Sequence, residues 1–164
     1  MNEQTKAIDP VCLMLVDSGG IDIEYQGLRY SFCSKQCLER FETNPHLYIG
    51  HPTKPAPKQQ GKSIIRKRLL KLDTAIPEAV SIQIKKSLGA MMGVLDMTIE
   101  DNTISITYDL LQITTKQMED KIQKSDSYLA NDWGTRLKRA FIHYKEDTEL
   151  DNLEHQDGSH GCHR

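Results

Sequence analysis

The sequence predicts an α+β protein made of two small domains and a C-terminal helix, and two observations underlie the division into domains. The stretch HPTKPAPKQQGK, residues 51–62, holds three of the six prolines and no large apolar side chain. Such a composition favours a semi-rigid spacer that buries no surface. On both sides of it, segments with strand-like alternation of apolar residues are followed by segments with helical spacing. We therefore expect a Pro-rich linker between a first domain, residues 1–50, and a second domain, residues 63–131.

The first domain is predicted to contain a β-hairpin followed by a short helix. Apolar residues alternate in IDIEY and in LRYSF, on the two sides of Gln26-Gly27, which is the signal of a tight hairpin. Ser34 is the predicted N-cap of the helix, and Asn44-Pro45 is its predicted end. A unit of about 50 residues rarely forms a sufficient core without a staple such as a metal ion.

The second domain is predicted to follow the order strand, helix, hairpin, helix, strand. The first strand lies in SIIRKRLLKL, and the first helix is expected between Pro77 and Gly89. VLDMTIE and TISITYD alternate as a hairpin, and Thr114 and Gln117 have the spacing of a capping box at the start of the second helix. With a short last strand near residues 128–130, this is a ferredoxin-like βαββαβ arrangement.

The C-terminal part is predicted to form a helix over residues 132–154 and a flexible tail over residues 155–164. The apolar residues with helical spacing are Trp133, Leu137, Ala140, Phe141 and Tyr144. Terminal segments without apolar periodicity are usually poorly ordered.

Composition and charge narrow the range of partners. The net charge is -2, which provides no bulk attraction for nucleic acid or an anionic membrane, and we interpret the basic run RKRLLK as a protected strand edge. No apolar run approaches the roughly 20 residues that span a bilayer, and MNEQTKAIDP lacks the apolar core of a secretory signal. We therefore expect no membrane insertion and a cytoplasmic location, where cysteines are reduced.

Three cysteines of the first domain form the spacing C-x20-C-x3-C: Cys12, Cys33 and Cys37. Thiolates bind Zn²⁺ in a tetrahedron, and a hairpin and a helix start can supply them from different segments. The helix N-terminus also favours the thiolate of Cys37. Buried structural cysteines are the alternative. A thioredoxin-like redox pair is less favoured, because its cysteines have two intervening residues within a larger α/β domain.

Residues 9 to about 49 resemble a YHS domain, a relative of the TRASH metal-binding modules. The matching positions are Asp9-Pro10-Val11-Cys12, Met14, Tyr25, Gly27, Tyr30, Phe32-Cys33-Ser34, Cys37, Phe41, Asn44-Pro45 and Tyr48. The resemblance implies copper or zinc binding with Cys12, Cys33 and Cys37 as ligands, as in domains attached to heavy-metal transport ATPases. Leu13 departs from the glycine that is usual there, and we expect its side chain to crowd the turn.

The fourth ligand stays open at the sequence level. The Met14 thioether suits Cu(I) better than Zn²⁺, although we expect Met14 to be core. His46 and His51, just beyond the helix, are further candidates, with an exposed loop position as the alternative. Three thiolates alone can hold Cu(I), whereas zinc requires a fourth donor, so the metal also stays open.

The C-terminal tail EHQDGSHGCHR provides a second candidate metal site. Its potential ligands are His155, His160, Cys162 and His163. A flexible tail chelates an ion without a prefolded cavity. Its affinity is expected to be lower than that of a folded site, because the chain loses conformational entropy on coordination.

From residue 64 to about 130, the predicted order of strands and helices is similar to the heavy-metal-associated domains of copper chaperones and transport ATPases. Those domains bind metal through a Met-x-Cys-x-x-Cys loop, where this chain has LDTAIPEAV. Because the loop has no soft donor, we expect no Cu(I) binding in the manner of that family. The second domain is interpreted as a docking or dimerisation scaffold.

Together these patterns predict a cytoplasmic accessory protein for heavy-metal homeostasis, transport or resistance. It would hold one Cu(I) or Zn²⁺ ion and deliver it to a transport ATPase or another metal-handling protein. The alternative is a structural or regulatory module in which zinc only staples the first domain. The sequence leaves open whether the chain forms a homodimer. No nucleophile, base and orienting group form a catalytic set in the sequence, so no enzymatic activity is expected.

Overall fold

The computed structural model describes residues 5–124, 133–141, 150 and 152–154. These residues form two compact units. The N-terminal unit consists of the described residues up to 63, together with 150 and 152–154. The second unit consists of the described residues from 64 to 141. Within this described part of the chain, no helix is both long and apolar enough to cross a bilayer.

The N-terminal unit contains two small antiparallel sheets and one helix. Its elements are β1 (Lys6–Ile8), β2 (Leu15–Asp17), β3 (Ile21–Tyr25), β4 (Leu28–Phe32), α1 (Lys35–Thr43) and a 3-10 turn (Pro45–Leu47). Strand β1 pairs with β2, and β3 pairs with β4. This arrangement places the β1–β2 loop and the β4–α1 junction in the same unit, where both contribute to the site described below.

Local sequence signals explain the β3–β4–α1 segment. Gln26 and Gly27 have φ angles of 50° and 76°, the left-handed conformation that a two-residue hairpin of matching twist requires. The Ser34 hydroxyl accepts a hydrogen bond from the Cys37 backbone N–H, which caps α1, and Asn44 ends the helix. The predicted hairpin and helix are confirmed.

An aromatic cluster forms the core of the N-terminal unit. Phe41 of α1 is fully buried, and its ring centroid lies 5.7 Å from that of Tyr25 and 5.2 Å from those of Tyr30 and Phe32. Edge-to-face and tilted rings at these distances add favourable quadrupole contacts to the burial of apolar surface. The cluster therefore holds α1 against the β3–β4 hairpin.

The Pro-rich segment 51–62 differs from the predicted spacer, because part of it is buried. Ala56, Pro57 and Lys58 are buried, and the Lys58 backbone N–H donates to the Leu47 carbonyl at 3.0 Å. Gln59 accepts hydrogen bonds from the backbone N–H groups of Gly50 and Ala56. Backbone hydrogen bonds and small side chains can bury such a segment without large apolar residues, so composition alone was misleading here.

The second unit has a three-stranded antiparallel sheet and three described helices. Its elements are β5 (Ile65–Lys71), α2 (Glu78–Gly89), β6 (Val94–Glu100), β7 (Thr103–Asp109), α3 (Thr115–Lys124) and α4 (Trp133–Ala140). The strand order is β5-β7-β6. The predicted last strand, residues 128–130, lies outside the described residues, so the complete βαββαβ arrangement stays a prediction.

One face of this sheet is buried and the other is solvent-exposed. Ile104, Ile106 and Tyr108 of β7 are buried, as are Ile84 of α2 and Met118 of α3. The capping box of α3 is confirmed by two reciprocal hydrogen bonds between Thr114 and Gln117, at 3.2 and 3.3 Å. The helices therefore cover the face that carries the apolar residues of β7.

The C-terminal helix was predicted over residues 132–154; in the structure α4 ends at Ala140, and Phe141 is not helical. Phe141 follows outside α4 but is buried, like Trp133 and Leu137. Residues 152–154 are helical, and Glu154 accepts hydrogen bonds from the Asn44 side chain and the His46 backbone N–H at 2.9 Å each. The tail 155–164 lies outside the described residues.

Candidate metal centre

Three cysteines from three local segments converge in the N-terminal unit. Cys12 lies in the loop between β1 and β2, Cys33 directly follows β4, and Cys37 lies in the first turn of α1. The Cys33 sulfur is 3.5 Å from the sulfur of Cys12 and 3.5 Å from that of Cys37. One ligand atom from each cysteine and one carboxylate oxygen of Asp9 all lie within 4.8 Å of one another.

The sulfur separations fit a single ion. A tetrahedral ion with bonds of about 2.3 Å to sulfur needs sulfur atoms about 3.8 Å apart. The two 3.5 Å separations around Cys33 differ from this value by a few tenths of an ångström. Small side-chain rotations therefore suffice to accommodate an ion without a change of the fold.

Asp9 organises the backbone around the cysteines. Its carboxylate is fully buried, and Oδ1 accepts hydrogen bonds from the backbone N–H groups of Val11 (2.7 Å) and Cys12 (3.2 Å). Oδ2 accepts a hydrogen bond from the Cys33 backbone N–H at 2.8 Å. One side chain thus ties the loop that carries Cys12 to the end of β4 that carries Cys33.

Asp9 was not among the site residues predicted from the sequence, where it appeared only as a motif position. The available signal was an aspartate shortly before a loop cysteine, which is the pattern of a side chain that bonds to the backbone ahead of it. The hydrogen bond to Cys33, far along the chain, had no signal in the sequence.

The loop that carries Cys12 is closed by backbone hydrogen bonds and contains one residue in an unusual conformation. The Asp9 N–H donates to the Met14 carbonyl at 2.9 Å, and the Leu13 N–H donates to the Asp9 carbonyl at 2.8 Å. Leu13 has a φ of 67°, the left-handed region that favours glycine. Its side chain is 56% exposed, so the expected crowding is wrong, and the backbone conformation explains why glycine suits this position.

Burial and hydrogen bonding shift the pKa values of the site in opposite directions. Burial raises the pKa of Asp9, but the backbone N–H groups of Cys33, Val11 and Cys12 outweigh it and hold the pKa below its ordinary value of 3.8. Burial raises the pKa of Cys12 to about 12, although the Met14 N–H lowers it. Burial and the negative charge of Asp9 raise the pKa of Cys37 well above its ordinary range.

These shifts describe a site that is prepared for a cation. The Asp9 carboxylate is ionised at neutral pH, while the thiols of Cys12 and Cys37 keep their protons in the absence of a metal. A bound cation favours the thiolates, and the Met14 backbone N–H also lowers the pKa of Cys12, which favours its thiolate. Soft sulfur donors suit Zn²⁺ and Cu(I) rather than Mg²⁺ or Ca²⁺.

The two histidine candidates among the described residues lie outside the cysteine cluster. His46 and His51 stack on each other with ring centroids 5.0 Å apart, and His46 Nε2 lies 3.5 Å from the Tyr25 hydroxyl. Neither histidine is grouped with the cysteines, whereas Asp9 is. The side chain of Met14 is 51% exposed, so the expectation that it is core is wrong.

The tail candidates, His155, His160, Cys162 and His163, lie outside the described residues. The second metal site that they are predicted to form stays a prediction.

Comparison with known protein families identifies the part of the chain that contains this cluster. Residues 7–52 match the YHS domain. The resemblance seen in the sequence is confirmed for this part of the chain, which contains Asp9, Cys12, Cys33 and Cys37. No curated protein and no solved structure matches the chain. The resemblance of the second unit to heavy-metal-associated domains stays a prediction.

Proposed function

We propose that this chain binds one Cu(I) or Zn²⁺ ion through Cys12, Cys33 and Cys37 and passes it to another metal-handling protein. It would act as a cytoplasmic accessory protein in heavy-metal homeostasis, transport or resistance. The observation that supports this function is the convergence of three sulfur atoms, with a buried carboxylate, inside a YHS domain.

Partial exposure of the cluster supports delivery to a partner. Cys12 and Cys33 are half-buried, whereas Cys37 is buried. An incoming thiol can reach an ion at the exposed side of such a cluster and replace one ligand at a time. The ion then moves between proteins without release into solution.

A zinc-stapled structural or regulatory module is the second candidate function, and Asp9 is the observation that favours it. A buried, ionised carboxylate among three thiols provides the fourth donor that tetrahedral zinc requires and that Cu(I) does not. However, both Asp9 oxygens already accept backbone hydrogen bonds. A role of Asp9 as a ligand would therefore favour zinc, whereas a role only in positioning the cysteines would fit Cu(I).

We propose that the site binds metal and has no catalytic role. A nucleophilic cysteine needs a lowered pKa, and burial raises the pKa values of Cys12 and Cys37 instead. We propose that the second unit, as a ferredoxin-like scaffold without soft donors in its first loop, positions the N-terminal domain against a partner such as a transport ATPase.

Elemental analysis of reduced, tag-free protein tests the proposal. We expect about one tightly held copper or zinc ion per chain in the wild type and none in Cys33→Ser, because the central sulfur of the cluster is removed. Cys162→Ser is the matched control: it removes the cysteine of the predicted tail site, whose affinity is expected to be lower, so the tightly held ion should remain. Equal metal content in Cys33→Ser and wild type would refute the site.

The rate of metal loss separates delivery from stapling. In the delivery function, a competing thiol chelator removes the ion much faster than the N-terminal domain unfolds. In the staple function, metal loss and unfolding have the same rate, because the ion leaves only when the domain opens. Stopped-flow measurement of both rates on the same sample decides between them.

A further inference from the structure

The exposed face of the second unit's sheet, which we call the open face, carries an ordered pattern of charges. It is formed by alternate residues of the three strands: Ile65, Lys67, Leu69 and Lys71 of β5, Thr103, Ser105 and Thr107 of β7, and Asp96, Thr98 and Glu100 of β6. The residues named on β5 and β6 are exposed, and those on β7 are half-buried.

The strand register sorts these side chains into rows. Thr107 pairs with Lys67 on one side and with Asp96 on the other. Thr103 pairs in the same way with Lys71 and Glu100. Across the three described strands, the open face thus has lysines along β5, acids along β6, and small hydroxyl side chains of β7 between them.

The opposite charges are too far apart to neutralise each other within one chain. Strands β5 and β6 are separated by β7, so the charged rows are about 10 Å apart. Among the described residues, Lys67, Lys71, Asp96 and Glu100 take part in no ion pair. Leu69, which lies between the two lysines, is 68% exposed. The face therefore presents unpaired charges of both signs and an exposed apolar side chain to solvent.

We infer that the open face binds a second copy of this chain through a two-fold axis that runs along β7. Rotation by 180° about such an axis places β5 of one copy over β6 of the other and keeps each row in line. Lys67 then faces Asp96 of the other copy, and Lys71 faces Glu100. Stacked sheets lie about 10 Å apart, a separation that lysine and carboxylate side chains can bridge together.

A second copy explains the pattern better than other partners. The face carries two lysines and two acids, so it has no net charge to attract nucleic acid or an anionic lipid surface. A self-complementary interface must be attractive after a two-fold rotation, and opposite charges on the two sides of β7 satisfy that condition. The small hydroxyl residues of β7 lie on the axis, where the copies approach most closely.

Charge reversal tests this interface by sedimentation velocity on the full chain, over a dilution series at low and high salt. We expect the wild type to dimerise, and more weakly at high salt. Lys67→Glu with Lys71→Glu makes the face all acidic, and Asp96→Lys with Glu100→Lys makes it all basic. Each double variant alone should weaken the dimer on the order of tenfold or more, because like charges then face each other.

Mixing the two double variants provides the decisive measurement. The all-acidic face of one complements the all-basic face of the other, so the mixture should form a heterodimer where neither variant dimerises alone. Lys85→Glu with Lys86→Glu is the matched control, since it makes the same charge change at exposed positions of α2 and should leave the dimer unchanged. Circular dichroism and metal content show that each variant is folded.

Four results would overturn the inference: a wild type that stays monomeric at low salt, dimers that are insensitive to both reversals, no heterodimer in the mixture, or assemblies larger than a dimer. Binding of RNA or anionic vesicles through the lysines of a monomeric chain would also overturn it.

Discussion

Each unit contains a strand followed by a helix, and the two junctions differ in chemistry. At the β4–α1 junction, Cys33 and Cys37 meet Cys12 from a separate loop. At the β5–α2 junction, the sequence LDTAIP has no soft donor, and Arg136 of α4 donates to the Thr74 hydroxyl at 2.7 Å. The same local order of elements therefore produces a candidate metal centre in one unit and a polar contact in the other.

The difference shows that the segment contributed from elsewhere in the fold decides what a junction can do. Asp9 brings a buried negative charge to the first junction, where weak solvent screening strengthens its effect on the thiols. Arg136 and Asp73 at the second junction are only partly buried or exposed, and their charged atoms are 4.0 Å apart. Ion pairs of this kind contribute little to stability.

The largest expected effect is a pH dependence of the metal affinity at the first junction, the β4–α1 junction. Cys12 and Cys37 carry raised pKa values, so binding of an ion by both thiolates releases two protons. We expect the metal affinity to increase by at least about hundredfold per pH unit between about pH 6 and pH 8, since these two thiols alone release two protons. Competition titrations against a chelator of known proton affinity measure it, and an affinity independent of pH would exclude these thiols as ligands.

The stability of the metal-free N-terminal domain should decrease as the pH rises, whereas the metal affinity increases. A thiol whose pKa is raised by folding stabilises the folded state below its unfolded pKa, here 9.0, and that contribution is lost as the pH rises toward about 12. The control is the metal-loaded protein, in which the thiolates are already paired with the ion. Equal loss of stability at alkaline pH with and without metal would contradict this account.

Asp9 and Arg136 each link one of the two junctions to a distant segment. Matched substitutions compare what each residue contributes to metal affinity and to the free energy of unfolding. Asp9→Asn replaces one carboxylate oxygen by an amide that cannot accept from a backbone N–H. We expect it to lower the metal affinity by about 10- to 100-fold and the free energy of unfolding by about 1 to 3 kcal/mol. Arg136→Ala should cost less than about 1 kcal/mol and leave the metal affinity unchanged.

Calorimetric titration and chemical denaturation measure both variants. Because the pKa of Asp9 is lowered by folding, the stability that it contributes is present above its ordinary pKa of 3.8 and is lost as the pH falls below that value. A wild-type metal affinity in Asp9→Asn would rule out both a ligand role and a positioning role for this residue.

The smallest expected effect is a change in the free energy of unfolding caused by a substitution in the β1–β2 loop, which carries Cys12. Leu13→Gly should increase the free energy of unfolding of the metal-free protein by about 0.5 to 1 kcal/mol, because glycine adopts the left-handed conformation without strain. Leu15→Gly is the control: Leu15 is also exposed but lies in strand β2, where glycine is unfavourable. Chemical denaturation of both variants checks the opposite signs.

Much of the local structure was predictable because it depends on neighbouring residues. The turn at Gln26-Gly27, the Ser34 cap and the capping box of Thr114 and Gln117 each involve contacts within a few positions, and all three are confirmed. The buried segment 56–58 and the exposed side chain of Met14 were not predictable, because burial depends on which distant surfaces cover a residue.

The sequence by itself determined the β3–β4 hairpin, helix α1 and the three sulfur donors, since spacing and residue type are local properties. Only the tertiary structure decided that these sulfurs meet, that Asp9 joins them, and that lysines and acids lie on opposite sides of β7 on one sheet face. Such arrangements depend on strand pairing and on hydrogen bonds between residues far apart in the chain, and a linear pattern does not encode which partners will meet.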